Sequence, residues 1–194
     1  MSGVRRFAQW GLWFGGALVM LAAVLIGVDV VLRKFFALSI GGADELAGYA
    51  LAIGTTWGLG AALLDRAHIR IDSLYLLFPQ KLRLLLDLAA LILLVGFFAL
   101  VAWHGMSVVS QSWTAGSRSQ SALEIPTIIQ QAIWLAGLVV FATIGALLLI
   151  EALRIIAAGN LRGAARLVGT RSAEEEVQDE IRDLQERQGR QGGA

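Results

Sequence analysis

The residues with usable chemistry fall into a few short groupings. Asp29 and Arg33 stand four positions apart, as do Glu45 and Tyr49; on a helix that spacing puts each pair side by side. His68, Arg70 and Asp72 form an alternating polar run, and Gln130, Gln131 and Trp134 form another polar cluster. Such groups can organise a bundle or hydrogen-bond lipid headgroups and neighbouring helices, and none forms a proton relay or an ion site by itself. They are poorly suited to catalysis. The chain has no cysteine, which removes disulfides, thiolate nucleophiles and cysteine-based metal or redox centres. A membrane haem commonly needs paired histidine ligands; His68 is expected on the inner side and His104 in the outer third of the third span, so they cannot share one haem. No glycine-rich phosphate loop, zinc-ligand set or Ser–His–Asp constellation can be assembled. The chain is expected to be no enzyme and to carry no metal or cofactor of its own.

The elements that must position these residues are apolar. Uncharged runs cover Phe7–Val28, Leu46–Leu64, Leu88–Val101 (continuing past His104 to about Val109) and Ile125–Ile150. Each supplies about 20 mostly apolar residues, enough helix to cross roughly 30 Å of hydrocarbon. A soluble bundle would show a charged face on every helix, and these runs have none. Backbone groups in lipid must be satisfied within the segment, which makes the spans α-helices. The expected fold is an all-α integral membrane protein with four transmembrane helices. The first run is too long for a signal-peptide core and reads as the first span. At 57% hydrophobic residues with a net charge of +1, the chain lacks the concentrated basic surface that nucleic acid requires.

Positive charge gives the orientation. Arg5 and Arg6 precede the first span; Arg66, Arg70, Lys81 and Arg83 lie between the second and third; Arg154, Arg162, Arg166 and Arg171 follow the fourth. The other two connections carry Arg33 and Lys34, partly offset by nearby acids, and Arg118. Both termini are therefore expected in the cytoplasm. Trp10 and Trp13 near the inner end, and Trp103 and Trp113 near the outer boundary, suit the two interfaces. Between the second and third spans, His68–Pro79 reads as a short interfacial helix, with Asp72 or Ser73 as N-cap and Leu74, Leu77 and Phe78 on one face. The domain expectation is a four-helix transmembrane unit over 1–158 and a cytoplasmic polar tail over 159–194. Within the tail, Ser172-Ala-Glu-Glu175 is a capping box that opens a polar C-terminal helix.

Charge near the bilayer centre costs at least about 2.5–3.5 kcal/mol and usually marks function. Here Asp29, Glu45, Asp65, Asp87, His104 and Glu151 are all expected at helix ends, so the chain reads poorly as a free-standing pump. Gly11 and Gly15 in the first span, and Gly54 and Gly58 in the second, have GxxxG spacing. Close backbone approach at small residues drives helix association in lipid, within this chain or against another subunit. The rival reading is an autonomous four-helix channel or carrier, formed by self-association through the glycine faces.

Three stretches in order carry a family resemblance: Asp44-Glu45-Leu-Ala-Gly-Tyr49, Trp57-Gly-Leu-Gly-Ala61, and His68-Ile-Arg70-Ile-Asp72-Ser-Leu74. Val28–Lys34 and the Ile125-Pro126 entry with Gln131 and Trp134 add to it. The chain resembles, over about Phe7–Ile156, the small membrane subunit of TRAP transporters, the tripartite ATP-independent periplasmic uptake systems. The resemblance implies four helices in the bacterial inner membrane, a large multi-helix membrane subunit that carries the substrate and sodium sites, and a periplasmic substrate-binding protein. It also implies a non-catalytic role, enlarging the scaffold against which the transport domain moves during sodium-coupled uptake of an organic acid. On this reading Asp29, Arg33, Glu45, Tyr49, Trp57, His68, Arg70, Asp72, Gln131 and Trp134 serve positioning or partner and lipid contact, and none is a substrate ligand.

Overall fold

The computed structural model describes residues 2–65, 78–169, 181 and 184–185. Among these the chain is helical: α1 Ser2–Phe36, α2 Ala43–Leu64, α3 Gln80–Thr114, α4 Thr127–Ala157 and α5 Leu161–Val168. The first four are long and apolar enough to cross a membrane. The interfacial segment with His68, Arg70 and Asp72 lies outside the described residues up to Leu77, and the C-terminal helix opened by Ser172 does so almost entirely.

The helices overshoot the apolar runs. At 35 residues each, α1 and α3 measure about 52 Å, well beyond a bilayer's hydrocarbon. Asp29 thus sits two turns inside the end of α1. Helix stops follow local chemistry. Pro79 at the head of α3 and Pro126 at the head of α4 fall where the missing N–H costs nothing. Gly159, at φ +78°, turns the chain out of α4. Asn160 then caps α5, its side chain accepting from the Gly163 N–H at 2.8 Å.

Packing order differs from chain order. α1 lies along α2, α2 along α4, and α4 along α3, while α5 folds back over α4 and α3. The result is an open row, α1–α2–α4–α3. The outer members are thinly covered: 11% of the apolar window of α1 and 17% of that of α3 are buried, against 33% in α2 and α4. The core joins Ala8, Ala61, Leu63, Leu91, Phe141, Ile144 and Leu148. It depends on small residues opposite large ones. A Cβ on Gly60 would lie 2.8 Å from Ile144 Cδ1, and one on Gly145 would lie 2.5 Å from Val95 Cγ2. Phe98 meets Phe141 edge-on at 4.7 Å.

Candidate functional site

Polar side chains gather where the α1–α2 and α3–α4 connections meet. Asp29 on α1 is fully buried. It pairs with Arg33 one turn on, as the spacing predicts, and its other oxygen accepts from Ser39 Oγ at 3.1 Å and the Ile40 N–H at 2.6 Å. One carboxylate therefore ties the last turns of α1 to the chain leaving it. Those two loop donors could not be read from an i,i+4 pattern.

The second cluster starts at Glu45 on α2, which accepts from the Tyr49 hydroxyl one turn later. With the Gln130 amide turned to suit its neighbours, its nitrogen donates to the Pro126 and Thr127 carbonyls at 3.0 and 3.2 Å. Its oxygen then lies 3.0 Å from the Tyr49 hydroxyl, whose single proton is shared between Glu45 on α2 and Gln130 in the first turn of α4. Ser119 and Ser121 of the α3–α4 loop lie close to the Glu45 carboxylate. The loop is itself a tight hairpin: the Ser119 N–H donates to Ile125 O at 2.9 Å and the Thr127 N–H to Ser117 O at 3.0 Å. The two connections interlock, since a Cβ on Gly42 would lie 2.5 Å from Leu123 Cδ1, and Gly42 holds φ +93°. Below the cluster a cavity of about 400 Å³ is lined by Tyr49, Ala52, Ile53, Thr127, Gln130, Gln131 and Trp134. Buried Gln131 Oε1 has no partner among the described residues.

Trp57 lies farther down. Its indole N–H donates to Ile133 O at 3.0 Å, a reach permitted by the bare backbone of Gly137, whose Cβ would lie 2.9 Å from Trp57 Cδ1. Phe14 meets the same indole edge-on at 5.9 Å. Trp57 thus sits between α1 and α4 rather than with the end clusters. Gly11, Gly15 and Gly54 occupy the α1–α2 crossing, with Cβ positions 2.5–2.9 Å from facing backbone oxygens, whereas Gly58 has Leu12 Cδ1 at an ordinary 3.6 Å.

At the opposite end, Arg5 meets Asp65 at 3.7 Å. Asp87 is fully buried where α5 ends, 3.4 Å from where a Gly169 Cβ would stand. Asp87 is not at a helix end as expected: α3 begins at Gln80, two turns earlier. The signal for α5 was Asn160-Leu-Arg-Gly163, a capping sequence just past the Gly159 stop.

The deciding comparison is a family model. That of the tripartite ATP-independent periplasmic transporters, DctQ component, matches residues 22–155, which include the Asp29 and Glu45 clusters, Trp57 and the α2–α4 cavity. The chain belongs to the DctQ family. It is a small membrane component of a TRAP transporter, as the residue pattern implied. No curated protein and no solved structure matches it. In this DctQ component the polar clusters join helices and loops to one another; no string of ionisable groups crosses the row among the described residues.

Proposed function

We propose that this DctQ component is a non-catalytic scaffold that widens the fixed part of the transporter. The large membrane subunit moves an organic acid with sodium, and a periplasmic protein delivers that substrate. Both termini and the 159–194 tail face the cytoplasm, following the arginine-rich ends, and the interlocked α1–α2 and α3–α4 connections face the periplasm. The chain lies in the bacterial inner membrane. His68, Arg70 and Asp72 anchor their segment to headgroups or to the large subunit. Glu45, Tyr49, Gln131 and Trp134 set the partner-facing geometry of α2 and α4.

The observation that carries this reading is the open row. A carrier that works alone needs a closed path, with helices around it and polar groups along it. Here the outer helices leave most of their apolar surface uncovered, and buried Asp29 is spent on a local tie at the end of α1. A wide, thin wall of helices suits support rather than conduction.

Uptake of organic acid into proteoliposomes under a sodium gradient tests the proposal, with this chain present or absent beside the large subunit and binding protein. Uptake only with all three is expected. Uptake by this chain alone would refute the scaffold and favour an autonomous channel or carrier.

A further inference from the structure

One charged surface is used by neither cluster. On the first turns of α1, Arg6, Gln9, Trp10 and Trp13 follow an i, i+3, i+4, i+7 spacing that places them on one face. They line a hollow of about 300 Å³. Trp10 is 73% exposed and Trp13 77%. Arg5 is engaged with Asp65, but Arg6 has no carboxylate partner among the described residues. We infer that this face is a binding site for the phosphate headgroup of an anionic membrane phospholipid.

Depth, charge and donor geometry agree on that ligand. Along α1, Trp10 lies about 6 Å and Trp13 about 10 Å beyond Arg6. The headgroup layer outside the hydrocarbon is about 5–8 Å thick on each side. With Arg6 at the phosphates, the two indoles fall at the ester level and the uppermost acyl carbons, where tryptophan is favoured. The guanidinium fork matches two phosphate oxygens. Gln9 and the Trp10 indole N–H add neutral donors. The uncompensated cation selects the lipid class: an ethanolamine or choline headgroup would bring its own cation against Arg6, and a glycerol headgroup would not. The aromatic floor accepts the acyl chain. This site depends only on α1 crossing the membrane, not on the scaffold proposal.

Native mass spectrometry of the full chain with graded phosphatidylglycerol reads the site directly. An anionic contact of this kind is expected to give about five-fold weaker binding in Arg6→Gln. Arg6→Lys, which keeps the charge but loses the fork, recovers part of the affinity, and Lys34→Gln, at the far end of α1, leaves it unchanged. Binding by Arg6→Gln equal to wild type, or an equal loss in Lys34→Gln, would overturn the inference. Circular dichroism checks that the variants remain helical. A photo-crosslinking residue at position 13, in membranes that also contain the large subunit, distinguishes a protein occupant. A phospholipid adduct is expected; an adduct to the large subunit would instead make this face a subunit interface and overturn the lipid site.

Discussion

Replacing Gly15 with alanine tests the α1–α2 crossing at its tightest point. The new methyl would lie 2.5 Å from the Gly54 carbonyl oxygen and 3.0 Å from Gly54 Cα. Real Cβ atoms keep at least 3.0 Å and ordinarily 3.4 Å, so the helices must part by the difference, about 0.5–0.9 Å. Both obstacles are backbone, and no side chain can swing aside. Overpacking of this kind costs about 1–3 kcal/mol. Gly16, the next residue, has nothing within 4 Å of its Cβ position, and alanine there gains about 0.5–1 kcal/mol of helix preference. Reversible unfolding of the purified chain in mixed micelles, followed by circular dichroism, should therefore separate the two variants by about 1.5–4 kcal/mol. Gly11→Ala, with Trp57 O at 2.7 Å, should behave like Gly15→Ala; Gly58→Ala, with its nearest contact at 3.6 Å, should be near neutral. Equal stability for the Gly15 and Gly16 variants would refute the crossing as the source of α1 docking.

Three further outcomes are expected. Asp29→Ala removes the acceptor of the Ile40 N–H, and hydrogen exchange at that amide should speed up more than in Asp29→Asn, which keeps an oxygen; equal rates would show that Asp29 does not hold the turn. Glu45→Gln should lower the yield of complex with the large subunit more than it changes apparent substrate affinity, measured by co-purification and uptake; a selective change in affinity would put Glu45 in the substrate or ion path. Asn160→Ala should cost about 1 kcal/mol at the head of α5, read as faster exchange at the Gly163 amide with the spans unaffected; no change would mean the cap contributes nothing.

Local rules made part of this architecture legible and left the rest hidden. The four apolar runs located the spans, because a bilayer imposes length and composition together. The i,i+4 spacing foretold that Asp29 meets Arg33 and Glu45 meets Tyr49, since both partners ride one helix. The other half of each cluster comes from elsewhere in the chain. Ser39 and the Ile40 N–H reach Asp29 only because the chain leaving α1 doubles back, and Gln130 reaches Tyr49 only because α2 and α4 are neighbours. Periodicity carries no information on that row order. Which glycines matter was equally unreadable: Gly54 and Gly58 are identical in sequence terms, and helix rotation alone puts one against backbone and the other against a leucine methyl. α5 was missed because its composition resembles the polar tail beyond it.

The attachment of α1 follows from where its contacts lie. In lipid, apolar area gives no net drive for one helix to leave the bilayer's chains and join another, so the sparse cover of α1 is no defect. What must be fixed is its position and tilt, and α2 together with the connection leading into it does this at three heights. Arg5 and Asp65 meet at one end, but that pair is about half exposed on both sides and contributes about 1 kcal/mol at most. The Asp29 tie at the other end fixes the connection, which constrains where α2 begins without setting the distance between helices. Only the glycine crossing does that, backbone against backbone, with Trp57 wedged beside it against Phe14. The rest of the circumference of α1 is left free of intrachain work. A helix held this way presents one long face at a set angle without a core closing over it, and that is the geometry the proposed scaffold role would need.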